Sequence, residues 1–514
     1  MRAQAVTASP AVRATSRVQL VLGAVAVLPV LGYVVVALQR IGYPYELTYF
    51  EGSTVEVTAR VAAGQPLYGP PSTSFTPWPY PPLYFWVTGA VARLFGVNLL
   101  SLRLVSFTAS LAVLVLLALV VRKVGGSTVS GLVAAGVYAA TYRVSGAWAD
   151  TARVDSLLLA LLLGAVFVGV GAQTWRQGAA VGSLFFLAFL TKQTALLVAA
   201  PPLLWMLFRR RTAGVAACAV LGGGVALSTG IGLLVTDGWY WRQVVTQLLG
   251  QALAPGWLWD FWLRDLLLPF AITVLTVVVT VLVLRRRRGR PAASGRPRNG
   301  SYADTETASV GAVVVGLVLA SWVARLHEGG YANVAMPAHA GLAVVVGLLL
   351  ARALSAPWCT TVLTVVFAVA LAVQSGLMTL WQLDVVPSAA DRVAGDRFVS
   401  ELRALPGVVL VPTHPYYLRL ADRPTHASAI AIHDLLRSNG GRAAVGEELP
   451  WDLDGVSAVV LDNLDDARLF GDRLSRDFTL VTTTFVPPGV FLPVTDLPTH
   501  PTLLYVRTTV TSGR

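Results

Sequence analysis

Charge is what this sequence has least of. Only 13% of its 514 residues are Asp, Glu, Lys or Arg, against about 25% in an average soluble domain. A soluble chain of this length would divide into about three domains, and too few charges are present to give each a polar surface. The same shortage, with 55% apolar residues, excludes disorder and a fibrous protein. Cysteine is almost missing. Cys218 and Cys359 both fall in apolar runs, so there is no disulfide framework and no zinc pattern. No Gly-rich phosphate loop of the Walker kind is present. Lysine is nearly absent too, with Lys123 and Lys192 the only two. What remains is an integral membrane protein.

Apolar runs near the roughly twenty residues that span a bilayer occur at approximately 18–38, 102–121, 127–143, 155–173, 214–236, 263–284, 308–325, 333–352 and 358–380. The stretch 178–208 is broken by Thr191-Lys192-Gln193 and reads as two short spans meeting there. The segment 82–97 is short and carries Arg93. With that segment along the surface there are eleven spans, and every basic cluster falls on one side. Those clusters are Arg2/Arg13/Arg17, Arg122-Lys123, Arg176, Arg209–Arg211, the run from Arg285, and Arg352. The positive-inside rule makes that side the cytoplasm.

The N-terminus is then cytoplasmic, and its first apolar run, long for a signal peptide and lacking a cleavage site, is expected to be retained. The outer face receives loops 39–101, 144–154 and 237–262 and the tail from about 385. Residues 285–307, rich in Gly, Pro, Arg and Ser, read as a disordered cytoplasmic linker.

Residues 1–384 hold 27 basic and 12 acidic residues, and residues 385–514 hold 12 and 15. Basic blocks set between apolar runs do not suit nucleic acid. In the tail, a helical period over 391–405 and short apolar runs at 407–411, 456–461 and 503–506 predict a small extracytoplasmic α/β domain. The expected fold is thus an α-helical polytopic membrane unit, 1–384, followed by that soluble domain, 385–514.

With so few acids in the membrane unit, each one is informative, because ionisable groups at membrane depth are by default functional or paired. Glu51 follows Tyr49 and Phe50. Desolvation among aromatic rings strengthens a carboxylate as a general base; the alternative is an acid that simply begins a helix. Asp150 and Asp155 flank Arg153, which can form a structural ion pair with either. Lys192 sits between two apolar half-spans, where an ammonium either takes an anion such as a phosphate or snorkels to the interface. Tyr80 and Tyr84 lie in a Pro-rich aromatic stretch that can stack on a sugar or belong to an interfacial belt. Arg325, His327, Tyr331 and Asn333 form a polar, Gly-bearing turn between two later spans, and His327 could donate to a phosphate. No His/Asp/Glu spacing supplies a metal-ligand set.

In their order and common sidedness these positions resemble the GT-C superfamily of polyprenyl-phosphate-sugar-dependent glycosyltransferases. The similarity is to the family 39-like bacterial members related to protein O-mannosyltransferases and to the aminoarabinose transferase of lipid A modification. It covers about residues 18–352 and rests on Glu51 after the first span, Pro81–Tyr84, Arg153 with Asp155, the Thr191-Lys192 joint and the Gly-Gly-Tyr-x-Asn turn. The resemblance implies transfer of a sugar from a polyprenyl-phosphate donor to a hydroxyl of a cell-envelope glycan, lipid or protein at the outer face of the cell membrane. It implies Glu51 as catalytic base, with Asp150 or Asp155 as the next candidates. Lys192, His327, Arg325 and Arg153 would hold the donor phosphate, and Tyr80, Tyr84, Tyr331 and Asn333 would contact substrate. Many relatives carry an acidic pair where this chain has Glu51-Gly52, which leaves a divalent-cation requirement open. Two other readings share the same observations: a secondary transporter, against which no repeated half is found, and a non-catalytic scaffold that presents the tail.

Overall fold

The computed structural model describes residues 10–288, 300–354, 362–379, 383–438 and 451–508. Its membrane unit is a helical bundle: α1 (Pro10–Arg40), α2 (Glu51–Ala62), α3 (Leu83–Phe95), α4 (Leu99–Lys123), α5 (Thr128–Ala140), α6 (Asp155–Gly169), α7 (Trp175–Thr191), α8 (Ala195–Arg209) and α9 (Arg211–Val235). It continues with α10 (Ala271–Arg288), α11 (Gly300–Arg325), α12 (Met336–Leu354) and α13 (Val362–Thr379). Five helices among the described residues are long and apolar enough to cross a membrane: Gln19–Arg40, Leu99–Lys123, Arg211–Val235, Asp304–Arg325 and Ala332–Leu354.

Local chemistry sets several boundaries. Asn98 caps α4 by accepting from the Ser101 amide, and Thr174 opens α7 with a reciprocal Thr–Gln177 capping box. Segment 82–97 folds as the separate helix α3, which packs on α2 and α4. The stretch 178–208 does form two helices. Lys192 adopts an extended conformation that ends α7, and α8 resumes at Ala195.

The core runs through the bundle, with α1 against α5, α4 against α5 and α6, α7 against α9, and α8 against α11. Close approach is built on small residues. A Cβ at Gly136 would collide with the carbonyl of Ala26, so α5 meets α1 at backbone distance. Leu28, Val115, Phe208, Leu227 and Leu234 point outward and are exposed, as suits helices solvated by lipid rather than water.

Both ends of the predicted linker 285–307 are helical. Helix α10 runs to Arg288 and α11 begins at Gly300; residues 289–299, like Cys359, lie outside the described residues. Glu306, assigned to that linker from sequence, is fully buried. It pairs with Arg210 and accepts from the Gly171 amide at 2.9 Å. An acid this deep needs a cation, and the Arg209–Arg211 cluster supplies one.

The tail contains α14 (Ala389–Ala404), α15 (Pro415–Leu420), α16 (Ala429–Arg437) and four strands: β1 (Val408–Leu410), β2 (Val456–Leu461), β3 (Phe478–Thr482) and β4 (Leu503–Arg507). The sheet order is β1-β2-β4-β3, with β1–β2 parallel and the other pairs antiparallel. Strand β3 has no clear sequence signal, because its middle residues are exposed. One face of the sheet buries Leu410, Val459 and Tyr505 against tail residues only. The other places Phe398, Tyr417 and Phe491 against Tyr45, Val55, Leu102 and Ala152 of the membrane unit. The two units therefore share a core.

Removing Glu306 strands the Arg210 charge. Glu306→Ala is expected to destabilise the protein by about 3–5 kcal/mol, whereas Arg210→Met with Glu306→Leu recovers most of that loss. Thermal melts of the purified chain and its variants check this.

Candidate active site

The loop after α1 is organised by one guanidinium. Arg103, fully buried on α4, donates to Glu51 through Nε at 2.9 Å and Nη2 at 2.6 Å. The same side chain donates to the carbonyls of Arg40, Tyr43 and Tyr45. Glu51 also accepts from the amides of Leu47 and Ala152, each at 2.8 Å. With four donors on its two oxygens and no exposed surface, this carboxylate lacks a free acceptor position for a substrate proton. The carboxylate expected among aromatic rings is instead held by an arginine and two amides.

Asp150 is built the same way. It accepts from Arg40 at 2.8 and 2.7 Å and from Tyr142 Oη at 2.7 Å, again buried. Both acids fix the mouth of the bundle. Arg40 and Arg103 were not singled out from sequence, although an arginine inside an apolar run such as 102–121 is a signal in itself.

The third acid is differently placed. Asp155, at the start of α6, accepts from Lys192 Nζ at 2.8 Å and from Asn333 Nδ2 at 2.8 Å, with Arg153 Nε 3.6 Å away. Three distant segments thus meet: the loop before α6, the α7–α8 joint and the turn before α12. Gln193 pins the joint by donating to the carbonyls of Pro79 at 2.9 Å and Val244 at 2.6 Å. A cavity of about 20 Å³ opens beside the cluster, lined by Asp155, Lys192, Thr194, Ser321, Asn333 and Met336.

Arg153 stands out. Its guanidinium lies 4.3 Å from the Phe50 ring centre and 4.2 Å from that of Trp148. Among the described residues its side chain makes no hydrogen bond, and Nε is buried without a partner. Aromatic faces hold it by cation–π attraction while its N–H groups stay unused. Tyr80 lies beneath Lys192, 5.6 Å from Nζ. Tyr331 meets Trp148 edge-on, 6.4 Å between ring centres. Among the described residues the buried amide oxygen of Asn333 is also without a partner.

Three predicted residues fall elsewhere. Tyr84 is fully buried and bonded to Ser106 at 3.0 Å, in the core under α3, so it offers no surface to a substrate. Arg325 is occupied by Asp265 at 2.9 Å, by the Gly330 carbonyl and by the Trp257 ring at 3.4 Å. His327 joins Leu253 through a β-bridge, with Nδ1 unpartnered. Among the described residues neither Arg325 nor His327 pairs with the Lys192–Asp155 cluster; they anchor the 237–262 loop instead.

The tail adds groups that the sequence did not single out. Helix α16 lays Ile430 and Ala431 against Phe50, Trp78 and Tyr80. One turn further on, Asp434 comes within electrostatic reach of Arg153 and Tyr80 and makes no hydrogen bond among the described residues. Burial pushes its carboxyl up to about 6, against the opposing pull of Arg437 and Arg153. Asp496, which accepts from Thr48 at 3.2 Å, is a second tail acid near Arg153.

His414 locks the tail in place, its Nδ1 bonded to Glu46 and its Nε2 to Asp462 at 3.2 Å. Burial alone would lower its pKa, but the two acids outweigh this and push it up to about 10. Gly52 follows from the same packing, since a Cβ there would strike the Glu46 carboxylate. Among the described residues no group of three or more His, Cys, Asp or Glu lies close enough to hold a metal ion.

If Glu51 is a structural clamp, Glu51→Gln should cost about 3–5 kcal/mol by leaving Arg103 buried and half-paired. Its melting temperature should fall in step with its activity. A variant that melts like the wild type but has lost turnover would return Glu51 to the chemistry.

Residues 79–234 match the family model of dolichyl-phosphate-mannose-protein mannosyltransferases. None of the curated proteins compared matches the sequence. Among solved structures, the chain is similar to ArnT from Cupriavidus metallidurans bound to undecaprenyl phosphate, with 13% identity and a TM-score of 0.54 over 96% of this chain and 99% of that one. The apo form of ArnT gives 14% and 0.53 over 95% and 98%. The archaeal oligosaccharyltransferase AglB from Archaeoglobus fulgidus, in complex with an inhibitory peptide and a dolichol-phosphate, gives 9% and 0.52 over 87% and 69%. Over most of its length the chain thus shares the fold of ArnT and AglB, and within that fold residues 79–234 match the mannosyltransferase family model.

Proposed function

We propose that the chain is an inverting transferase that moves a sugar from a polyprenyl-phosphate donor to an acceptor hydroxyl at the outer face of the cell membrane. The observation that carries this reading is Arg153: a buried guanidinium held between two rings, its donors unused, beside Lys192. Lys192 hydrogen-bonds Asp155 while Arg153 stays 3.6 Å from it, and the free N–H groups of that guanidinium match the oxygens of a lipid phosphate. ArnT with undecaprenyl phosphate and AglB with dolichol-phosphate share this fold and support the choice of ligand.

In this reading the acceptor oxygen attacks the anomeric carbon from the side opposite the phosphate. The bond from that carbon to the phosphate oxygen breaks, and its electron pair leaves with the polyprenyl phosphate, which gains a negative charge. Arg153 and Lys192 stabilise that charge as it grows. Asp155 positions Lys192, and Asn333 positions Asp155. The acceptor proton goes to Asp434, a tail carboxylate within electrostatic reach of Arg153 that has no hydrogen bond among the described residues. Glu51 and Asp150 keep the frame rigid.

Arg153→Lys should lower kcat/KM for the donor by about 10²-fold, because an ammonium cannot take the place of a planar fork stacked between rings. Asp434 must be deprotonated to act, so wild-type turnover should rise with pH through about 6. Asp434→Asn should lose that limb together with about 10²–10⁴-fold in kcat. A purified enzyme with a defined lipid-linked sugar measures both. Cysteine labelling should reach 64–70 and the tail from outside and 124–126 from the cytoplasm; the reverse pattern would place the site on the wrong face for a lipid-linked donor.

A further inference from the structure

A second, larger cavity lies on the far side of α2. It measures about 310 Å³ and is walled by α2, the 72–76 turn and the tail segment 425–428. That volume is at the lower end of small-ligand sites, roughly 300–1,000 Å³. Its walls are fixed from both sides. Ser72 and Phe75 bond each other's backbones at 2.9 and 3.2 Å, and the Ala427 amide donates to the Thr73 carbonyl at 2.9 Å.

Ten of its fifteen lining residues carry hydrogen-bonding side chains. Glu56 accepts from Arg419 at 2.8 and 2.6 Å and from Thr425 at 2.7 Å. Ser74, Thr76 and Ser428 add hydroxyls. Arg60 spends Nε on the Pro66 carbonyl and stacks on Phe75, 4.2 Å from the ring centre. Its two amino groups have no partner among the described residues. A carboxylate flanked by arginines, several hydroxyls and one aromatic ring is the chemistry that binds a polyol, through paired hydroxyls and a flat ring face.

Only a thin wall separates this cavity from Arg153. Ser53 lines the cavity and accepts from Trp78 Nε1 at 3.1 Å. Trp78 stacks on Phe50 at 3.9 Å, and Phe50 carries Arg153. We infer that the cavity between α2 and the tail binds a carbohydrate portion of the acceptor, beyond the hydroxyl that reacts, so that membrane unit and tail select the acceptor jointly. Its role toward an acceptor rests on the proposed transfer; carbohydrate binding in the cavity does not.

The test uses the full chain in detergent and saturation-transfer NMR with maltose and α-mannobiose, with a Ser/Thr-containing tripeptide as the competing class. At least one disaccharide should give saturation transfer from the wild type. Ala59→Trp, which fills the cavity from α2, and Glu56→Gln, which removes the carboxylate, should each cut that signal at least tenfold. Circular dichroism melts establish that both variants are folded. Equal disaccharide signals in wild type and a folded Ala59→Trp, no disaccharide signal at all, or saturation of the tripeptide alone would each overturn the site. Consumption of lipid-linked sugar is read separately on the wild type. Its absence, with disaccharide binding intact and sensitive to Ala59→Trp, would sink the proposed transfer and leave the carbohydrate site standing.

Discussion

The tail side of this protein depends on the Arg103–Glu51 pair. An ion pair out of water must satisfy all its remaining donors and acceptors to be tolerated. This one does so with the end of α1, the loop at 43–47 and the amide of Ala152. Satisfying the charges and ordering the loop are therefore one event. Phe50 is the residue before Glu51, so the clamp also sets the ring on which Arg153 lies.

Arg40 and Asp150 repeat the device one layer over, with Arg40 reaching the carbonyls of Ala147 and Val385. Between the two clamps, the segment 148–155 is held at both sides. That is what lets Arg153 keep unused donors in a buried place: its position is set by neighbours and by ring stacking, not by its own hydrogen bonds. A preorganised cation of this kind can meet growing charge without rearranging.

The tail is part of the mouth rather than an appendage. Its aromatic residues complete a core begun by Tyr45 and Leu102, and His414 joins a loop acid to a tail acid. Helix α16 then covers the aromatic floor of the site with Ile430 and Ala431. A second polar cavity forms along the same seam, with walls from both units.

Composition, hydropathy and the sidedness of basic clusters determined the membrane class, the approximate helix boundaries, the break at Lys192, the setting apart of 82–97 from the spans and three of the four strands described in the tail. These follow from local rules of span length, extended polar joints and short apolar runs. The sequence also named Arg153, Asp155, Lys192 and Asn333, because rare polar residues in apolar surroundings stand out. Their partnerships were decided only in three dimensions. Glu51 and Asp150 looked as available as Asp155, and what separates them is which arginine each one meets. Arg40 and Arg103 lie 110 and 52 positions away from those acids. Asp434 is an ordinary acid in an ordinary soluble helix until packing brings that helix against Phe50 and Tyr80. The physical reason is that a charge declares its need for a partner locally, while the identity of the partner is a property of the packed fold.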